Sequence, residues 1–374
     1  MKKIMLKLSE DAKKKEITNT EIAKRIGVVP SMIGSYFSLE YQISFLRFVE
    51  LTKVVYGTYN FELILQFCKA FNKKIEVEML EWAYSNGAVT ILKHLLSKEC
   101  VDNNLTELYE LLLKRIIGEI SHQDFYTAVE NFKFFYTKDD CIVRVAIESC
   151  TLHALMDLSA YNVTNHMSDI VLKKAENINN SYIKEAYIAR IKTLSTVSYF
   201  KNNQVEKAKL LANSVVNEDM KNKFPLYYNN ALLHLSEIYS LTDYKKSISY
   251  IRRALHMLEE GYFNDYKHRE RVLQDTHDFI SIHHDKYRDL FLKSEAELAH
   301  KYARSEDFEY RIEALKILAD LERRNGKLTS FQMYYRALAL NDRESMREAE
   351  ASFYITGDIY YSQLPKLWLK SDEK

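Results

Sequence analysis

His283-His284-Asp285 is where catalysis is first to be sought. On a helix, adjacent side chains point about 100° apart, so the two histidines cannot act on one atom. No HxxxH or HExxH spacing, nucleophile elbow or glycine-rich phosphate loop occurs, and enzyme chemistry, a metal centre and a cofactor site are not expected. Binding chemistry remains. Asn229-Asn230 could hold both the N–H and the C=O of an extended peptide, although helix capping is an equally good use for them. Arg252-Arg253, Arg269 to Arg271 and Arg323-Arg324 read as solvated helix faces.

A second set of polar residues lies in Ile17 to Ser38. Thr18 with Glu21 three residues later forms a capping box. Ile22, Ala23 and Ile26 make a buried stripe, and Gly27 supplies a left-handed stop. Pro30 then suits the first turn of a second helix. This is the pattern of a helix-turn-helix DNA reader, with Ser31, Met32, Ser35 and Tyr36 on the recognition helix and Lys24 positioned for a phosphate. An ordinary helical hairpin is the plainer alternative. Within residues 1–25 there are eight cations and four anions, a local bias beside that motif in a chain whose net charge is only +1.

The elements that carry these residues must be helices. Three prolines and eight glycines in 374 residues predict long helices joined by short turns. Cys68, Cys100, Cys141 and Cys150 have no metal or redox spacing and read as reduced and buried, which points to the cytoplasm. No run of 18 apolar residues and no leader occurs, so no membrane contact is expected. Leu39 to Gly57 reads as one helix closing an N-terminal unit.

Four segments align at 124–135, 164–175, 204–215 and 243–254. Their small residues Ala128, Ser168, Ala208 and Ser247 recur at intervals of 40, 40 and 39. Three residues beyond Phe132, Leu172, Ala212 and Ile251 stand Phe135, Ala175, Val215 and Ala254. Small residues at a fixed period mark stacked helix pairs, and the last copy fits the tetratricopeptide pattern. Further pairs are predicted at 289–304 with 307–323 and at 328–341 with 343–358. The reading is an all-α chain: a helix-turn-helix domain at 1–57, connecting helices at 58–120, tetratricopeptide-like peptide-binding repeats at 121–361 and a C-terminal cap or dimerisation segment at 362–374.

A helix-turn-helix ahead of such repeats resembles the peptide-pheromone receptors of Gram-positive bacteria and their phages. AELAHKYARSEDF at 296–308 and GDIYYSQLPKLWL at 357–369 resemble the AimR-like arbitrium receptors of temperate Bacillus phages in particular. The resemblance implies a homodimeric transcriptional regulator of the lysis–lysogeny decision in the bacterial host. A double-stranded operator with two half-sites would be its target, controlled by a short peptide bearing a basic residue. It also implies that Glu297 and Asp358 grip that basic residue, that Tyr360 flanks Asp358, and that Phe279 lines the pocket. Positions where the family carries backbone-gripping asparagines hold Val197, Lys201 and Glu237 here. Two alternatives stay open: a repeat scaffold acting through protein contacts, and a modulator of response regulators.

Overall fold

Thr18 accepts the Glu21 N–H at 3.2 Å while the Glu21 carboxylate accepts the Thr18 N–H at 2.8 Å. That reciprocal cap starts α2 (Asn19–Ile26), after α1 (Lys2–Lys14). Gly27 stops α2 at φ 69°, and Pro30 opens α3 (Pro30–Ser38). Ile22, Ala23, Ile26, Ile33 and Tyr36 bury themselves with Ile4, Met5 and Leu8 of α1. Leu39 turns left-handed at φ 66°, so the chain leaves the helix and α4 spans only Phe45–Tyr56. The continuous helix expected from Leu39 is therefore corrected to a loop followed by a shorter helix. The computed structural model describes residues 1–264, 267–287, 290 and 292–371.

Next come α5 (Phe61–Ala70), α6 (Val77–Ser85), α7 (Val89–Leu96) and α8 (Asn103–Ile116). Trp82 of α6 meets Phe45, Tyr59 and Phe61 edge-on or tilted, so the helix-turn-helix shares its core with the helices that follow. An isolated parallel bridge joins Ile75 to Cys100.

The remaining helices stack as hairpins. They are α9 (His122–Phe135), α10 (Cys141–Asp157), α11 (Tyr161–Ala175), α12 (Ser181–Lys201) and α13 (Val205–Val215). The short α14 (Glu218–Lys223) precedes α15 (Pro225–Tyr239) and α16 (Tyr244–Glu259). After them run α17 (Lys267–His283), α18 (Glu295–Ala303), α19 (Phe308–Asn325), α20 (Ser330–Leu340), α21 (Arg343–Ile355) and α22 (Gln363–Ser371). Ser168, Ala208 and Ser247 are wholly buried where the paired helices cross, and the Ser247 hydroxyl donates to the Ser236 carbonyl at 2.7 Å. The first copy departs: Ala128 is half-buried and Phe135 is 75% exposed. Of the predicted pair at 289–304 with 307–323, residues 289 and 291 lie outside the described residues, as do 372–374 of the C-terminal segment.

Two features tie the stack together. Between α6 and α12, Glu81 and Arg190 form a buried ion pair, with the Tyr109 and Tyr227 hydroxyls also bonded to Glu81. At the far end, the turn after α21 folds back across the earlier repeats. Tyr360 takes a backbone bond to the Lys201 carbonyl at 3.2 Å and donates its hydroxyl to the Ile238 carbonyl at 2.8 Å. Tyr360 also packs on Phe200, ring centres 4.4 Å apart. The solenoid thus closes on itself, and a cleft is left inside the closure.

Candidate ligand cleft and N-terminal helices

That cleft has a volume of about 230 Å³. Its walls come from α12 (Lys201), α15 (Glu237), α17 (Asp275, Phe279), α18 (Glu297), α20 (Phe331, Tyr335) and the closing turn (Tyr361). Asp275 and Phe279 lie one helical turn apart on α17, so both project to the same side. Glu297 is the third residue of α18 and is buried to 7% exposure. The Tyr335 hydroxyl donates to one of its oxygens at 3.0 Å, and His300 Nδ1 lies 3.2 Å from the other. The His300 ring stacks on Tyr335 with centres 4.1 Å apart.

Burial pushes the Glu297 carboxyl up to about 8; the Tyr335 bond opposes this, and the charges of Asp275 and Asp278 add to it. Burial also pushes His300 well below its ordinary range, so the ring is neutral and is no counter-charge. Among the described residues no Lys or Arg pairs with Glu297. Burial raises Asp275 as well, with Arg271 opposing. A pair of carboxyls facing one cleft beside aromatic rings is a seat for a guanidinium or ammonium group.

Asp358 is differently placed. It lines an adjoining hollow behind Thr329 and Phe331, which face both spaces. Its carboxylate is paired with the Lys201 ammonium. Burial tends to lower the Lys201 ammonium, but Asp358 and Glu237 outweigh it and hold the group charged.

Comparison with known proteins is informative at this point. Residues 60–371 match the family described as AimR transcriptional regulator-like. The chain belongs to that family. An uncharacterized protein of Bacillus anthracis is 25% identical over 239 residues, covering 61% of this chain and 84% of that protein. The structure of selenomethionine phAimR superposes with a TM-score of 0.74 at 16% identity, covering 99% of this chain and 97% of that one. The ligand-bound phAimR structure gives 0.70 at 16% identity, covering 88% and 98%. At that identity the likeness is one of fold alone, a helical-repeat architecture with no strand among the described residues. No described helix is long and apolar enough to cross a membrane.

Within the AimR-like fold the residues singled out from sequence separate. Phe279 and Glu297 meet in the cleft, whereas Tyr360 is buried beneath the closing turn and its neighbour Tyr361 faces the opening. Asn229 is wholly buried: its amide donates to the Ala254 carbonyl at 2.8 Å, and its oxygen accepts from Arg269 at 2.9 Å. Asn230 accepts from the same guanidinium at 2.7 Å. These asparagines therefore hold Arg269 and are not open to a peptide backbone, and Arg269 is no solvated face. His283-His284-Asp285 is likewise dispersed, with His284 bonded to the Ser240 carbonyl at 2.7 Å and Asp285 to Arg304 at 2.9 Å. Cys68, Cys100 and Cys150 are buried, but Cys141 is exposed.

On the helix-turn-helix, Lys24 and Ser31 are exposed and Met32 is half-buried against the core. Tyr36 is at 9% exposure, one helical turn beyond Ile33 and on the same buried face, and is corrected from a base-facing to a core residue. The outward strip of α3 is Ser31, Gly34, Ser35 and Ser38, with Ser35 bonded to Glu40 at 3.1 Å. Missed in the sequence were Asp275, Phe331 and Tyr335. Asp275 and Phe279 four residues apart, with the Glu297–His300 spacing of three, were the available signal.

Proposed function

We propose that this chain is a ligand-controlled transcriptional regulator of the arbitrium type. Residues 1–57 engage a double-stranded operator with two half-sites as part of a homodimer, and residues 121–361 receive a short peptide bearing a basic residue. Residues 58–120 connect the two, and 362–374 cap the repeats. Membership of the family supports action inside the bacterial host cell, on the choice between lysis and lysogeny. The observation that carries the reading is Glu297: a buried carboxyl opening on an aromatic cleft, paired with no Lys or Arg among the described residues. Burial without a counter-charge holds that carboxyl in its neutral form, and a ligand that brings a cation would stabilise the ionised form.

Control of DNA binding has a physical route. Lys53, in the last turn of α4, donates to the Asn222 carbonyl at 2.6 Å, and Thr58 donates to the Gly261 carbonyl at 3.2 Å. Gly261 lies in the connection that leads into α17, whose other end lines the cleft. A ligand that shifts α17 therefore bears on the segment that carries the DNA-reading helices. Half-sites demand a fixed spacing, so a small rotation suffices. The test is calorimetry of the full chain with a short arginine-bearing peptide, taken from the next open reading frame where that encodes one, followed by gel shift on the neighbouring promoter. Peptide binding that is lost in Glu297→Gln and that changes the gel shift supports the reading. Tight binding undiminished by Glu297→Gln places the receptor site elsewhere, and absence of any DNA complex removes the regulator.

A further inference from the structure

Among the acidic groups of the cleft and the hollow beside it, Glu297 and Asp358 differ in one respect. Asp358 already has a cation: the Lys201 ammonium, supplied by the protein itself. Glu297 has none among the described residues. Lys201 is held from several sides. Its ammonium lies 5.1 Å from the Tyr361 ring centre and 5.6 Å from that of Phe200, and Glu237 adds a second negative charge. Glu237 is itself kept ionised: burial pushes it up, but a bond from His234 at 2.8 Å and the charge of Lys201 bring it below the usual range. Lys201 is thus placed as a ligand's basic side chain would be placed, between carboxylates and over an aromatic face.

We propose that Lys201 is a built-in occupant of the Asp358 subsite, and that the cleft is thereby restricted to a monobasic ligand seated on Glu297 and Asp275. This rests on the peptide-receptor reading above. A ligand's own cation can reach Asp358 only by expelling Lys201 from four favourable partners, Asp358, Glu237, Tyr361 and Phe200. A second basic group brought beside Lys201 would meet a like charge in a poorly hydrated space, where repulsion is little screened. Specificity then comes from repelling the wrong ligand as much as from attracting the right one.

The experiment measures stoichiometry. The probe is the monobasic blocked tripeptide acetyl-Ala-Arg-Ala-amide, titrated into the full chain and followed by NMR shifts of its arginine side chain. The parent takes up one equivalent and Glu297→Gln none. Lys201→Met, which vacates Asp358, takes up two. Uptake of one equivalent or none by a folded Lys201→Met, where the parent takes one, overturns the inference. If Lys201→Met does not fold, Asp358→Asn decides: probe affinity within about twofold of the parent supports the inference, and a loss beyond about tenfold overturns it. Failure of the receptor reading has a distinct signature. The parent then binds no probe, while Lys201→Met takes up one equivalent at the vacated Asp358. No uptake by either protein overturns the inference.

Discussion

Glu297→Gln should make the protein more stable, and more so as pH rises. In the unfolded chain the Glu297 carboxyl has its ordinary value of 4.5; in the fold, burial holds it up to about 8. Below 4.5 both states carry the proton, and the group makes no pH-dependent contribution. Between 4.5 and 8 the unfolded chain releases the proton while the folded chain retains it, so stability is lost across that window as pH rises. The span from 4.5 to pH 7, at about 1.4 kcal/mol per pH unit, comes to about 3 kcal/mol. Glutamine does not titrate and still offers an oxygen to the Tyr335 hydroxyl. Thermal midpoints of parent and variant followed by circular dichroism at pH 5, 6, 7 and 7.5 make the comparison, because titrations common to both cancel. The variant's advantage should be small at pH 5 and reach about 3 kcal/mol by pH 7. A gap that stays constant over the range would refute the account of Glu297 as a buried, cation-free carboxyl.

Four further outcomes follow from the structure. A cationic peptide should displace the Glu297 proton. Calorimetry at pH 7 in buffers of different ionisation enthalpy should register close to one proton released, and affinity should rise roughly tenfold per pH unit below 8; no buffer dependence contradicts this. Lys24→Ala should weaken gel shifts on all DNA sequences alike, with a salt slope lower by about one. Tyr36→Ala should instead lower thermal stability by about 3 kcal/mol, so a normally stable Tyr36→Ala that fails only on the operator would return Tyr36 to the DNA face. Arg190→Met should cost about 3–5 kcal/mol in urea unfolding by stranding Glu81. Arg190→Met with Glu81→Leu should recover most of it, and an equally unstable double variant would count against the pair.

What the sequence disclosed and what it hid divide along physical lines. Thr18, Glu21, Gly27 and Pro30 act within a few residues of themselves, and the local rules for caps and stops located α2 and α3. Ser168, Ala208 and Ser247 were legible because each hairpin needs one small residue where its helices touch. Phe135 broke that pattern: as the last residue of α9 its ring stands 75% exposed. Asn229 and Asn230 were misread because only the rotation of α15 against α17 decides which way an amide points. The Lys201–Asp358 pair joins residues 157 positions apart, and no periodicity within either helix announces it.

The closing turn has a consequence for how the protein is made. Tyr360 completes its bonds with Lys201 and Ile238, the latter 122 residues earlier. Contacts of such separation form late, since a long loop must be ordered before they reward it. During synthesis the repeats up to α20 can stack as each hairpin emerges, because every pair needs only its neighbour. The cleft, however, lacks Tyr361 and the Asp358 partner of Lys201 until the segment from 357 to 364 has left the ribosome. A nascent chain therefore has its helices before it has a finished cleft.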